Sequence, residues 1–306
     1  DEHKKAIENL KKLSPAPLGG KDDAQYIQAA NYEENLELLR GCDVIIEAIA
    51  ERMDWKHDLY RKVAPFVSDD AIFASNTSGL PIAKLSEAMD AGLKARFCGV
   101  HFFNPPRYMH LVELIPTPAT RPQILDDLET FLTSTLGKGV VRAKDTPNFI
   151  ANRVGVFGML ATIKEAEKYG LAYDVVDDLT GSKLGRAKSA TFRTADVVGL
   201  DTMAHVIKTM QDTLPASIDP FAAHFATPAV LKALVDKGAL GQKTGAGFYR
   251  KEGKSIKVLD PKKKEYVDGA GKADELIVRI LKKKDPAERL KLLRETDHPQ
   301  AKFLWA

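Results

Sequence analysis

Apolar positions along the first half of this chain alternate between helical and strand periods, and each change marks an element. Ile7, Leu10 and Leu13 recur at helical spacing over residues 4–13. The break Ser14-Pro15-Ala16-Pro17-Leu18-Gly19-Gly20 ends that helix. Residues 43–49 form an apolar run that reads as a buried strand, with Glu51 just past its end. Residues 54–66 return to helical period through Leu59, Val63 and Phe66. A strand over 71–74, a helix through 85–89 and a strand over 97–103 follow. Strands alternating with helical segments predict a parallel sheet covered by helices. Residues 111–115 are the next strand, 123–136 a helix with Ile124, Leu128, Phe131 and Leu132 on its apolar side, and 140–143 a last short strand.

Beyond residue 145 strand patterns give way to helices. Thr146-Pro147 reads as a hydroxyl N-cap followed by proline at the first helical position. The helix it starts runs to Tyr169 and stops at Gly170. Residues 173–179, 200–214 and 228–237 are helical by period. The expected organisation is an α/β unit over 1–144 and an all-α unit over 145–250. A linker with the start of a further helical segment covers 251–306. Within it, 255–259 and 265–268 suit a small hairpin, and 273–284 and 286–293 suit helices.

Composition narrows the function classes. With 44% apolar and 28% charged residues over 306 positions, the chain can build more than one core. A net charge of +3 is too small to point to a nucleic-acid partner. No apolar run reaches membrane-spanning length. Cys42 and Cys98 form no metal-ligand spacing and no disulfide framework, which fits a reducing cytoplasm. Lys262-Lys263-Lys264 and Lys282-Lys283-Lys284 read as solvated helix faces.

The chemistry concentrates at predicted strand ends. His101 closes one strand and Glu113 lies within the next, with a short turn, Asn104-Pro105-Pro106-Arg107, following the first. Two strands so joined can bring an imidazole and a carboxylate face to face. Such a pair accepts a proton near neutral pH, the carboxylate fixing the tautomer. Packing beside Phe102 and Phe103 is the plainer reading of His101, and a surface position on an edge strand that of Glu113. Upstream, Ser75-Asn76-Thr77-Ser78 ends an apolar strand. Such an end suits the carboxyl edge of an open α/β sheet, where ligands bind, or a simple helix cap.

Together these segments resemble the L-3-hydroxyacyl-CoA dehydrogenase family. The resemblance rests on Ser75 to Ser78, His101 to Pro105, Glu113 and residues 144–153, in order and at matching intervals. Residues 241–249 resemble the segment that closes the family's helical domain, so the likeness covers about residues 1–250. It implies a Rossmann-like NAD-binding domain followed by a helical one, and NAD-linked oxidation of the 3-hydroxyl of an acyl-CoA in fatty-acid β-oxidation. By the same resemblance His101 is the general base, Glu113 its partner, and Ser78 and Asn152 position the reacting oxygen. Ala48, Glu51, Lys56, Ser78 and Asn104 fall on the cofactor side; Lys56 reads equally as a helix-surface charge. Lys4, Lys5, Lys11 and Lys12 gain a second use against the anionic CoA tail. A homodimer through the helical domain is a further implication. Residues 185–189 and 194–201 match the helical domain and read as turns and caps, without catalytic work.

One motif is missing. The 306 residues hold no G-x-G-x-x-G, the turn whose amides hold a dinucleotide pyrophosphate. The expectation is that the first βαβ unit lies outside this sequence. The chain is then a fragment of a longer protein, fused elsewhere to an enoyl-CoA hydratase region. Two other readings stand beside the acyl-CoA dehydrogenase. One is a binding protein or inactive fragment that keeps the fold; the other is a dehydrogenase of free hydroxy acids.

Overall fold

Short apolar runs at 44–47, 72–75 and 97–102 become three adjacent parallel strands, as their alternation with helices requires. The computed structural model describes residues 2–14, 16–20, 22–217, 219–269 and 271–306, and of residues 2–4 the backbone only. Pro15 of the expected helix stop and the side chain of Lys4 lie outside the described residues. The chain forms two compact units, residues 1–150 and residues 151–306.

The first unit is a five-stranded sheet in the order β1-β2-β3-β4-β5. Its strands are β1 (Val44–Glu47), β2 (Ile72–Ser75), β3 (Phe97–Phe102), β4 (Leu111–Pro116) and β5 (Gly139–Arg142). All pairings are parallel except β3 with β4, which is antiparallel. The helices of this unit are α1 (Glu2–Leu10), α2 (Met53–Val63), α3 (Ile82–Ser86), α4 (Ala91–Lys94) and α5 (Pro122–Ser134). The first helix stops three residues short of the expected one, and Leu13 stands exposed.

Both faces of the sheet are covered, which is why β2 and β3 read as unbroken apolar runs. On one face Tyr60 of α2 meets Phe73 and Phe97 edge-on, at centroid distances of 5.2 and 5.8 Å, beside Ile82, Leu85 and Leu93. On the other, Ile124, Leu125, Leu128 and Leu132 of α5 pack over Ile72, Cys98, Val100 and Leu114. Each such side chain contributes about 1.5–3 kcal/mol by leaving water. The edge strand β1 departs from the expected buried strand. Its Ile46 is 40% exposed, because the α5 cluster reaches Val44 but not its neighbour on that face.

A buried ion pair ties β1 to α2. Glu47 and Lys56 have side chains 2% and 1% exposed, with Lys56 Nζ 2.6 Å from Glu47 Oε1. Tyr60 Oη and Ser75 Oγ donate to the other carboxylate oxygen at 2.7 Å, and the Ile49 amide donates to Oε1. The desolvated carboxylate is thereby surrounded by donors.

Residues 146–150 do not begin a helix. Asn148 and Phe149 have φ of +55° and +54°, left-handed values that no helix start can contain. The segment is a turn, and α6 (Ala151–Lys168) begins after it. Its end matches the sequence signal: Gly170 has φ +62°, and the Leu171 amide returns to the Ala166 carbonyl.

The second unit continues with α7 (Tyr173–Thr180), α8 (Phe192–Val198), α9 (Leu200–Thr213) and α10 (Ala229–Asp236), then α11 (Glu275–Leu281), α12 (Pro286–Glu295) and α13 (Pro299–Trp305). It is not all helical. An antiparallel sheet of β6 (Tyr249–Glu252), β7 (Ser255–Leu259) and β8 (Tyr266–Asp268) lies between α10 and α11. The hairpin was legible; β6 was not, because Arg250, Lys251 and Glu252 carry no apolar alternation. Residues 251–306 are not a linker either. Val258, Ile277, Ile280 and Phe303 share one core with Val176, Phe192, Leu200 and Ile207.

Two buried carboxylates lock this core. Asp177 accepts the amides of Thr191, Phe192 and Arg193 and the Tyr249 hydroxyl. Asp196 accepts the amides of Phe248 and Tyr249, both at 2.8 Å. The approach needs glycine: a Cβ on Gly241 would lie 2.3 Å from the Asp196 carbonyl oxygen, and one on Gly247 2.1 Å from its Oδ1. Among the described residues no helix is long and apolar enough to cross a membrane.

Two predictions follow from these buried acids. Lys56→Met leaves Glu47 buried without its cation, and urea unfolding should show a loss of about 3–5 kcal/mol. The double variant Glu47→Gln/Lys56→Met should lose less. Burial pushes the Asp196 carboxyl up to about 6 from 3.8, with the nearby Asp177 carboxylate adding to the shift and the two amides opposing it. The folded protein therefore keeps a proton that the unfolded chain releases. That stabilisation is complete below pH 3.8 and is lost as pH rises through about 6. The Tm of the native protein minus that of Asp196→Asn should fall across this window and level off above it.

Candidate active site

The antiparallel pairing of β3 with β4 sets His101 directly opposite Glu113. Side chains of such a pair leave the sheet on the same face, within reach of each other. Here His101 Nδ1 lies 2.8 Å from Glu113 Oε2, with the two residues 2% and 0% exposed. A carboxylate at Nδ1 places the ring proton there and makes Nε2 the nitrogen that accepts a proton. Aromatic rings fix the imidazole: Phe103 at a centroid distance of 4.5 Å and Phe149 at 5.6 Å. The second carboxylate oxygen of Glu113 accepts the Ile150 amide at 2.9 Å. The left-handed turn at 148–149 thus serves the pair twice, with the ring of Phe149 and the amide that follows it.

A second carboxylate organises the neighbouring strand ends. Glu51, in the loop after β1, accepts at Oε1 from Thr77 Oγ1 at 2.7 Å and from the amides of Ser78 and Gly79 at 2.9 Å. It binds the loop after β1 to the loop after β2. Asn76 Oδ1 accepts the Phe102 amide at 2.9 Å, fastening the end of β2 to that of β3. Asp145, far along the chain, receives the Ile82 and Ala83 amides and holds the first turn of α3 against the same region.

The parallel order of β1, β2 and β3 brings Ala48, Glu51, Ser78, His101 and Asn104 to one carboxyl edge of the sheet. Ala48, Ser78 and Asn104 are exposed there. Lys56 is not a surface charge: it lies beneath the edge on Glu47 and the Ile49 carbonyl, 3.8 Å from Glu51. Asn152 belongs to the second unit, half-buried at the second residue of α6. Sequence reasoning missed Glu47 and Tyr60. The signal for Glu47 was present, a lone Glu inside an apolar strand, the same cue that marks Glu113. Among the described residues no group of three His, Cys, Asp or Glu is placed to hold a metal ion.

Comparison with known proteins bears on the chain as a whole. Residues 1–146 match the model of the 3-hydroxyacyl-CoA dehydrogenase NAD binding domain, and residues 149–251 that of the C-terminal domain. A Bacillus subtilis protein named "Probable 3-hydroxyacyl-CoA dehydrogenase" is 40% identical over 99% of this chain. A Deinococcus radiodurans protein of the same name is 46% identical over 81% of it. The chain spans 38% of the length of the first and 70% of the second. Among solved structures, FadB2 of M. tuberculosis superposes with a TM-score of 0.70 at 29% identity, covering 82% of this chain and 85% of that one. The (S)-3-hydroxybutyryl-CoA dehydrogenase PaaH1 of Ralstonia eutropha gives 0.64 at 28% identity, over 80% and 82%. The chain belongs to the 3-hydroxyacyl-CoA dehydrogenase family.

Proposed function

We propose that this chain carries the proton-transfer chemistry of an NAD-dependent oxidation of L-3-hydroxyacyl-CoA to 3-ketoacyl-CoA. The observation that carries the reading is the His101–Glu113 pair, in direct cross-strand register at 2.8 Å and closed off from water. His101 Nε2 takes the proton of the substrate hydroxyl. Glu113 holds the ring by its Nδ1–H and stabilises the cation that forms. The Ile150 amide keeps Glu113 from turning. Ser78 and Asn152 position the substrate oxygen.

The residues present fit the nicotinamide half of the cofactor. Ala48 and Asn104 leave the carboxyl edge open, and Glu51 stands where a ribose hydroxyl is met in such sheets. When bound, NAD supplies the acceptor for the hydride that leaves C3. The 306 residues offer no G-x-G-x-x-G for its pyrophosphate.

The wider assignment follows the relatives. A Rickettsia felis protein named "Putative fatty acid oxidation complex trifunctional enzyme" is 40% identical over 83% of this chain, which spans 36% of it. That supports a place in β-oxidation, with a hydratase activity fused to the same polypeptide. Unpaired thiols at Cys42 and Cys98 suit the cytoplasm. The helical unit is the surface we assign to a homodimer.

Turnover decides the chemistry. Consumption of reduced nicotinamide with acetoacetyl-CoA, and none with free acetoacetate, is expected of the polypeptide that contains this chain. The reverse preference would assign it to free hydroxy acids. His101→Ala should lower kcat by about two to four orders of magnitude, with far-UV ellipticity unchanged. Near-native turnover would remove His101 from the mechanism. Glu113→Gln should lower the rate less. Its amide oxygen can still accept the Nδ1 proton, but a neutral amide no longer stabilises the imidazolium, so the apparent pKa of the pH-rate profile should shift downward.

A further inference from the structure

Residues 182–193, running from the loop after α7 into the first turn of α8, hold four cations, Lys183, Arg186, Lys188 and Arg193, and no acid. Three of them, Lys183, Lys188 and Arg193, line a cavity of about 350 Å³ with Lys272, which comes from the segment between β8 and α11. That volume sits at the lower end of small-molecule sites, about 300–1,000 Å³.

Acidic residues line the cavity too, but their oxygens are engaged. Asp177 is taken up by three backbone amides and Tyr249. Asp174 accepts the Gly271 amide at 2.7 Å and the Val175 amide at 2.9 Å. Asp178 accepts the Ala273 amide at 2.8 Å and pairs with Lys183 at 2.5 Å. Lys188 and Lys272 have no ion pair or hydrogen bond among the described residues, and Lys272 acts on Asp178 only through space. The guanidinium of Arg193 lies 4.0 Å over the Tyr249 ring, a contact that uses its face and leaves its N–H groups for an acceptor. The wall is built to shape: a Cβ on Gly271 would fall 2.3 Å from Asp174 Oδ1, so glycine allows the segment bearing Lys272 to close on the cavity.

We propose that the second unit binds a phosphate-bearing small molecule in this cavity. Its dianion would be held by Lys188, Lys272 and the N–H groups of Arg193, with the Ser182 hydroxyl as a further donor. The lining carries four cations against three acids whose oxygens are already taken up by donors, so Lys188, Lys272 and Arg193 keep N–H groups that a dianion with several acceptor oxygens can satisfy. The site lies wholly within the second unit and uses none of the residues assigned to proton transfer, so it stands whatever the substrate of the dehydrogenase.

Titration calorimetry with inorganic phosphate and with adenosine monophosphate tests this on the whole chain. Saturable binding with a Kd on the order of 1 mM is expected, weakening as NaCl is raised. The double variant Lys188→Gln/Lys272→Gln should weaken it at least tenfold, with ellipticity unchanged. Should the double variant not fold, either single variant serves, with a smaller loss. Tighter binding of the nucleotide than of phosphate identifies an organic phosphate as the ligand; equal binding identifies the free anion. Binding that survives the substitutions unchanged, or no saturable binding of either probe, overturns the proposal.

Discussion

Glu113 is a carboxylate with no exposure to water, set in the middle of a sheet, and the first unit is arranged to make that tolerable. An unpaired charge there would cost several kcal/mol. The antiparallel reversal between β3 and β4 brings His101 opposite it, and the turn before α6 supplies an amide to its other oxygen. A parallel neighbour would not have served, since parallel strands need a long crossover and cannot be joined by a short turn. The one antiparallel pairing in the sheet is thus the one that makes the dyad.

The same constraint recurs at Glu47, Asp177 and Asp196. Each is buried, and each gathers donors from chain segments far apart in sequence. Glu47 joins α2 to β1 and β2. Asp177 joins α7 to the start of α8 and to Tyr249, and Asp196 joins α8 to the 241–249 segment. Tyr249 bridges the last two, giving its amide to Asp196 and its hydroxyl to Asp177. Non-directional packing alone would let these elements slide; hydrogen-bonded carboxylates fix their register.

Much of this was legible in the chain. Helical and strand periods located most elements within a few residues, because both faces of the first sheet are covered and the longer helices of the second unit have clear apolar sides. The short helices α4, α8 and α13 were not among them, and residues 194–198, read as turns and caps, lie in α8. The pairing of His101 with Glu113 was legible from a short reversal between two strands. What escaped has a common cause. Asp145 caps α3 from 62 and 63 residues away, and Glu47 collects Ser75 from 28 away; such contacts leave no local pattern. Strand β6 was hidden because its exposed charges mask its pairing with β7. The Thr146-Pro147 pair carried a helix-start signal that tertiary contacts overrode.

That override shows how the site is held. Leaving the helical region at Asn148 and Phe149 costs on the order of 1–3 kcal/mol at each residue. Had the helix begun at Pro147, the Phe149 ring and the Ile150 amide would face along a regular helix. Instead Phe149 is 2% exposed and joins the cluster of Phe73, Phe97 and Ile82, while its ring contacts His101. Burial of that ring offsets about 1.5–3 kcal/mol. The charge-assisted bond from Ile150 to Glu113 offsets about as much again. The balance is close to neutral, so this turn persists because the buried dyad needs it, and local preference at Thr146-Pro147 yields.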